Sequence, residues 1–488
     1  MAKRVAVIDI GSNSTRLVIF QRTSRFGFHL IAQKKAAVRI SAGSFENGGN
    51  LTQNAIARTI EALSVFQDII KDYKARKILI VATAAVRNAP NRSEFISKVR
   101  EQLKLNIKVI DGDKEAYYGA ISAKNLLPVD KDFITVDIGG GSSDIALIKE
   151  NKVIDTISLN IGTITIKELF VDKNASIEEA SDFILKELDK IPSHFASDKI
   201  VAIGGVLRAF AKAVMKKNRY SFGKIHAFEY DISKQEDFIK DILNAKNDKA
   251  LKKLYIKTSR LDTIKEGLLI FKLLLEKLGI KDVISSGVGI REGVFLHDML
   301  RGSNHTFPRE INPSIVSIVD RFDILNVPLK NRIKIAKNLY KEIAKIANFK
   351  KDYLPRLIDA IKISNSGKAL TIYSEHKHAY YIASQELNWK YTHKDMLLIS
   401  TILRSKNDKL IYEPLFKEHE KLLPSFNELK WLSFIYSLSD ILHSYSAKES
   451  YNFILKENQL EIVATKELYL LESEIKDFDT PIKLEIIS

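Results

Sequence analysis

The spacing of apolar residues along this chain switches repeatedly between a period of two and a period near 3.6, and each switch marks an element. Residues 133–138 (FITVDI) are apolar and largely β-branched, the pattern of a buried strand; residues 139–141 are three glycines, and residues 144–148 lead back into a strand. Residues 5–20 (VAVIDIGSNSTRLVIF) have the same form. With Asp9 laid on Asp137, Ile10, Gly11, Ser14 and Leu17 fall on Ile138, Gly139, Ser142 and Ile145. Two matching strand–turn–strand units predict two related lobes with a ligand between them.

The rest of the first 128 residues alternates strands with helices. Residues 28–40 are strand-like and carry Lys34, Lys35 and Arg39. Residues 52–75 place Ile56, Ile60, Leu63, Phe66 and Ile70 on one helical face. A buried strand over 77–82 (KILIVA) ends in small residues and Arg87. A helix over 93–103, a short strand over 107–110 and a helix over 117–127 follow, which sets Glu115 at or near a helix start.

Residues 129–305 form the second predicted unit. After the central hairpin come a strand at 153–158, a turn into a helix ending at 170, a helix at 176–191, and a strand at 199–203. Gly204 and Gly205 then open a helix at 206–215. A strand at 225–230, a lysine-rich helical segment to about residue 275, a strand at 282–285 and a helix to 300 complete it. Residues 302–313 read as a linker. Residues 314–450 read as helical throughout, and the end of the chain as mixed: a hairpin at 451–465 turning at Asn458, a helix at 466–475 and a strand at 482–487. The expected domains are therefore 1–128, 129–305 and 306–488.

Chemistry enters at the glycine turns. Without Cβ atoms, Gly139, Gly140 and Gly141 let backbone N–H groups approach an anion, and Ser142 and Ser143 add hydroxyls. Gly11, Ser12, Asn13, Ser14 and Arg16 are the counterparts in the first hairpin. Asp137, with Asp9 as its counterpart, suits a divalent cation bridging to phosphate. Gly204 and Gly205 bring a helix N-terminus toward an anion or a nucleoside. Arg87 matches phosphate geometry but by itself reads as a surface arginine. Glu115 reads either as a first-turn carboxylate favoured by the helix dipole or as a general base. The GxxxxGK[ST] pattern of nucleoside triphosphatases does not occur in the sequence.

Composition narrows the partners. The formal net charge of +16 favours a polyanion, and no nucleic-acid-binding module is recognisable. The absence of cysteine excludes disulfides and thiolate chemistry. No apolar run reaches the length of a bilayer span, and the chain runs into a strand from residue 5; a cytoplasmic protein is expected.

Taken in order, DIGSNSTRL (9–17), ATAAVRNAPN (82–91), IDGDKEAYYG (110–119), DIGGGSSDI (137–145), AIGGVLRAFA (202–211) and SGVGIREGV (286–294) resemble the exopolyphosphatase / guanosine pentaphosphate phosphohydrolase family. The resemblance implies an α/β fold of two actin-like lobes (the sugar kinase–Hsp70–actin, ribonuclease H-like superfold). It further implies a mainly helical, degenerate HD-like C-terminal domain. In that domain His378 matches a histidine position, Ile358-Asp359 stands where His-Asp is expected, and Asp359 and Asp440 remain. By the same resemblance Glu115 is the catalytic glutamate, Asp137 and Asp9 lie at a Mg²⁺ (or other divalent) site, and Arg87 joins the phosphate site. The implied partners are inorganic polyphosphate and guanosine penta- and tetraphosphate, with a homodimer as the family form. Two other readings stay open at this point: an ATP-dependent enzyme of the same superfold, and a non-catalytic polyphosphate or (p)ppGpp sensor.

Overall fold

A computed structural model of the chain describes residues 4–44, 46–129, 132–445, 451–457, 459–464 and 469–487. It divides into two compact units, Met1–Ile311 and Asn312–Ser488.

The first unit holds two sheets built on one plan. In the first, β1 (Arg4–Ile10) and β2 (Thr15–Arg22) form an antiparallel hairpin, β3 (Phe28–Ala36) extends it, and β4 (Lys77–Ala82) and β5 (Lys108–Val109) add parallel strands on the other side, in the order β3-β2-β1-β4-β5. In the second, β6 (Phe133–Ile138), β7 (Ser143–Lys149) and β8 (Lys152–Leu159) repeat the antiparallel run. Then β9 (Lys199–Ile203) lies parallel to β6, as β4 does to β1, and β10 (Phe228–Asp231) and β11 (Asp282–Ser285) complete the order β10-β11-β9-β6-β7-β8. Parallel pairing needs a crossover connection, and the helix Gln53–Asp72 supplies one between β3 and β4. Each sheet has its own core. Ile8, Leu17, Leu63, Phe66 and Phe95 are central to the first, and Val136, Ile145, Ile200, Phe210 and Phe271 to the second.

Two helices that cross between the lobes bring site residues together. Gly112–Leu126 starts on an Asp111 cap that accepts from the Lys114 N–H at 2.6 Å. Ile290–Met299 packs against it so closely that a Cβ on Gly293 would lie 1.9 Å from the Tyr118 carbonyl oxygen. Because the obstacle is backbone, it cannot rotate away. Gly293→Ala is expected to destabilise the protein by about 1–3 kcal/mol or more in urea unfolding, as overpacked substitutions do. Gly302→Ala, with nothing within 4 Å of its built Cβ, is the neutral control.

The structure corrects several expectations in this unit. The lysine-rich segment to 275 is not one helix. Helices Glu236–Leu243 and Asp248–Lys253, a 3₁₀ turn Thr258–Arg260 and the helix Ile264–Leu278 share it, with an asparagine cap at Asn247 and positive φ at Tyr255 marking breaks. The helix expected at 117–127 begins at Gly112, so Glu115 sits within its first turn.

The second unit is helical from Pro313–Phe322 through Phe426–Tyr445, and ends in a three-stranded sheet of β12 (Asn452–Lys456), β13 (Gln459–Val463) and β14 (Lys483–Ile487). Asn458 and Lys466 lie outside the described residues. A 2% exposed arginine, Arg332, is anchored by Asp440 at 2.7 Å, Ser364 Oγ at 3.0 Å and the Tyr436 carbonyl at 3.1 Å. Asp359 accepts from Tyr391 OH at 2.7 Å and pairs with Arg356 and Lys362. Asp359 and Asp440 are thus both engaged by cations.

No helix among the described residues is long and apolar enough to cross a membrane.

Candidate active site

The two hairpin turns close in the same way. The Gly11 N–H donates to the Ser14 carbonyl at 3.3 Å, and the Gly139 N–H to the Ser142 carbonyl at 2.9 Å. In register, Asp9 faces Arg16 across the first hairpin, and Asp137 faces Asp144 across the second. The second turn is braced from behind: Ile164 and Thr165 donate to the Gly140 carbonyl at 2.8 and 3.2 Å, and Gly162 lies against it. Gly204 takes φ +96°, and a Cβ there would stand 2.6 Å from Asp137 Oδ1, so glycine is required on both counts. The helix Gly205–Lys217 opens just beyond it.

These pieces converge on one cleft of about 150 Å³. Gly11, Ser12, Asn13, Ser14 and Arg16 line it from the first hairpin, Gly139, Gly140, Gly141 and Ser142 from the second, together with Gly204, Gly205, Asp9, Asp137 and Glu115. Four basic residues line it to which the sequence assigned no role: Lys35, Arg208, Arg260 and Arg291. Asp144 lines it too. Its equivalence to Arg16, each seven positions past the matched aspartate, was the available signal. Arg291 lies inside the SGVGIREGV motif, whereas Arg260 lies in the segment read only as lysine-rich and helical.

Two expected phosphate ligands are placed differently. Ser143 is 1% exposed and donates its hydroxyl to the Ile161 carbonyl at 2.6 Å, away from the cleft. Ser142, in the turn before β7, lines the cleft, and Ser143, the first residue of β7, does not. Arg87 does not line the cavity. Its Nη1 donates to Glu115 Oε2 and to the Ile110 carbonyl, both at 3.1 Å, which makes it the anchor of Glu115.

Electrostatically the cleft pairs buried acids with buried bases. Burial pushes Asp9 up to about 6 against the pull of Arg291 and Arg16. Burial likewise raises Asp137, countered by Arg208, Arg16 and Arg291. Burial lifts Asp144 to about 7, although hydrogen bonds from Ser158 (2.5 Å) and Ser142 (3.1 Å) favour its ionised form. Glu115 is held well above the usual carboxylate range, first by burial and then by the neighbouring Asp144, with Arg87 opposing. On the basic side, burial and the neighbouring arginines Arg16 and Arg291 lower Arg208 to about 10. Such crowding of like charges stores a demand for counterions: the arginines for an anion, the carboxylates for a cation. Asp9 and Asp137 are hard oxygen donors of the kind Mg²⁺ takes. No group of three or more metal-ligating side chains is placed to hold an ion among the described residues, and Mg²⁺ commonly uses one or two carboxylates completed by substrate phosphates.

The fold has counterparts among known proteins. The sequence model of the Ppx/GppA phosphatase family matches residues 18–302. The chain belongs to the Ppx/GppA phosphatase family. Its similarity to a bifunctional 3-dehydroquinate synthase/phosphatase of Fusobacterium nucleatum is 30% identity over 301 residues, which is 57% of this chain and 44%, under half, of that protein's length. A guanosine-5'-triphosphate,3'-diphosphate pyrophosphatase of Pseudoalteromonas translucida is 28% identical over 388 residues, 77% of this chain and 75% of that one. The Aquifex aeolicus Ppx/GppA structure superposes with a TM-score of 0.55 at 27% identity, over 62% of this chain and 99% of that one. An exopolyphosphatase from Cytophaga hutchinsonii shares the fold at 19% identity and a TM-score of 0.54, over 62% of this chain and 100% of that one. The paired actin-like sheets are thus the Ppx/GppA fold, and a phosphohydrolase chemistry goes with the family.

Proposed function

We propose that the cleft hydrolyses the terminal phosphoryl group of a polyphosphate chain and releases orthophosphate. The observation that carries this reading is the set of five cationic side chains, Arg16, Lys35, Arg208, Arg260 and Arg291, around a narrow cavity that also holds Glu115. Hairpin N–H groups and arginines fix the terminal phosphate and stabilise its charge as it spreads. Glu115, oriented by Arg87, takes a proton from water; the water oxygen bonds to the terminal phosphorus while the bond to the bridging oxygen breaks, and that oxygen leaves with the electron pair. Asp9 and Asp137 would hold Mg²⁺, which neutralises phosphate charge when bound.

Polyphosphate is placed ahead of pppGpp on the shape of the site. The cleft is smaller than the roughly 300–1,000 Å³ typical of pockets that enclose drug-sized ligands, and among the described residues no aromatic side chain lines it to stack on a guanine. The second reading, removal of the 5'-γ-phosphate of pppGpp to give ppGpp, is favoured by the name of the Pseudoalteromonas relative. An ATP-dependent reaction is disfavoured because the guanidinium of Arg260 packs against Gly205, within 2.1 Å of where a Cβ would stand, on the element that would have to hold an adenosine. Orthophosphate release measured side by side on long-chain polyphosphate and pppGpp tests the ranking. A kcat/KM higher for polyphosphate is expected, and a higher value for pppGpp reverses the order.

The pH dependence has a definite sign. A base works ionised, so the rate rises with pH through Glu115's elevated range. Asp144 is one cause of that elevation. Asp144→Asn removes a negative neighbour, which makes ionisation easier, so the ascending limb of the kcat profile is expected to move to lower pH. A limb that stays in place would detach Asp144 from the base.

A further inference from the structure

Arg39 and Asp262 meet at the rim of the cleft from opposite lobes. Arg39 follows β3 in the first lobe and is pinned to the first hairpin turn: its N–H donates to the Asn13 carbonyl at 3.2 Å, and the Ser41 N–H to the Ser12 carbonyl at 3.5 Å. Arg39 takes φ +46°, a backbone conformation that residues other than glycine adopt at a cost. Asp262 follows the 3₁₀ turn Thr258–Arg260 in the second lobe. Arg39 Nη2 and Asp262 Oδ2 lie 3.7 Å apart, with the two side chains 66% and 45% exposed. Neither residue lines the cavity, but Ser12 and Asn13, which hold the Arg39 loop, and Arg260, two residues before Asp262, do.

Asp262 serves more than one cation. Arg16 and Lys35 stand opposite each other in register across β2 and β3, so two bases face one another on adjacent strands. Burial first, then Arg16 and Arg260, holds the Lys35 ammonium below the usual lysine range, and Asp262 opposes them. Burial also lowers Arg260, again with Asp262 opposing. One carboxylate thus balances Arg39, Lys35 and Arg260, cations drawn from both lobes. A phosphate chain whose end fills the cavity of about 150 Å³ must continue outward past its lining, and Lys35 and Arg260 belong to that lining. Such a chain carries negative charge on every unit and oxygens that match the guanidinium fork. An exposed ion pair is weakly held in water, so a polyanion can take the cation from it at little cost.

We propose that Asp262 is a resident anion that competes with the incoming phosphate chain for Arg39, and that this pair sets how tightly chains reaching beyond the cavity are held. The inference rests on the reading of the cleft as a polyphosphate site. The test is titration calorimetry of the full-length protein with long-chain polyphosphate in EDTA buffer, which reads affinity apart from Mg²⁺-assisted turnover. Asp262→Asn is expected to tighten binding about two- to fivefold, the reach of an exposed ion pair. Arg39→Ala should weaken binding, and by a larger factor in the Asp262→Asn protein than in the wild type, because the carboxylate that occupies Arg39 is then gone. Asp237→Asn removes the same charge from a side chain that is 96% exposed and does not line the cavity, and it should leave the affinity unchanged. With Mg²⁺ present, KM for long chains should fall in Asp262→Asn while kcat holds. Weaker binding in Asp262→Asn would make the carboxylate an organiser of the rim cations instead of a competitor. That result, an unchanged affinity, an equal tightening by Asp237→Asn, or no saturable binding to the wild type overturns the proposal. The expected binding pattern without orthophosphate release would instead sink the hydrolytic reading and leave the role of Asp262 standing.

Discussion

Replacing Glu115 by glutamine is expected to lower kcat for orthophosphate release by about 10²–10⁴-fold, the range that a positioned general base contributes, while KM changes by only a few-fold. The substitution keeps the size and one oxygen of the side chain, so Arg87 retains a partner and the hairpins stay where they are. What is lost is the capacity to accept a proton. That capacity is pronounced in the folded protein, because burial and Asp144 both make the Glu115 carboxylate hold a proton more tightly than a carboxylate in water. Steady-state kinetics on polyphosphate chains with Mg²⁺ separate kcat from KM. A rise in KM alone would mean that Glu115 positions substrate and that another group activates the water. Arg87→Ala probes the same element from the other side. Its guanidinium fixes Glu115 at 3.1 Å without lining the cleft, so its loss should lower kcat more than it raises KM.

The second large effect is expected at a residue with no chemistry of its own. Gly162 lies behind the second hairpin, and a Cβ there would stand 2.3 Å from the Gly140 carbonyl oxygen and 2.6 Å from the Gly141 nitrogen. Gly162→Ala must therefore push the hairpin turn or the following helix Thr163–Ile166 out of place. Misplacing a substrate-binding loop by about 1 Å can cost about 10²-fold in rate, and a loss of that order is expected here with the overall fold retained. Gly223→Ala, at a glycine with open space around its built Cβ, should leave the activity unchanged. The pair separates a general sensitivity to glycine substitution from the specific close approach behind the turn.

How much of this was legible in the sequence follows from what each residue depends on. The hairpins were readable because strand period, glycine turn and matched aspartates are local features, and β1–β2 and β6–β7 pair as antiparallel hairpins. Glu115 was ambiguous by itself, since a first-turn glutamate is an ordinary way to complement a helix dipole; family motifs, not spacing, pointed to it. Lys35, Arg208, Arg260 and Arg291 were passed over because an isolated basic residue looks the same whether it faces water or a cleft, and only the topology of the two sheets brings these together. Ser143 was assigned to phosphate because two adjacent serines look interchangeable in a motif, yet only Ser142 lines the cleft, and the Ser143 hydroxyl is engaged by the Ile161 carbonyl. The break-up of the lysine-rich segment near residue 255 was missed because a polar helix and a chain of short helical turns have similar composition.

The central claim is that water attacks the terminal phosphorus of a phosphoanhydride chain held in this cleft. The most direct test is turnover of long-chain polyphosphate in ¹⁸O-water with Mg²⁺, followed by mass analysis of both products. The account predicts that ¹⁸O enters the released orthophosphate and that the shortened chain remains unlabelled. Label at the end of the remaining chain would place the attack on the penultimate phosphorus, and an absence of orthophosphate release from both polyphosphate and pppGpp would make the cleft a binding site without hydrolysis; either result contradicts the account.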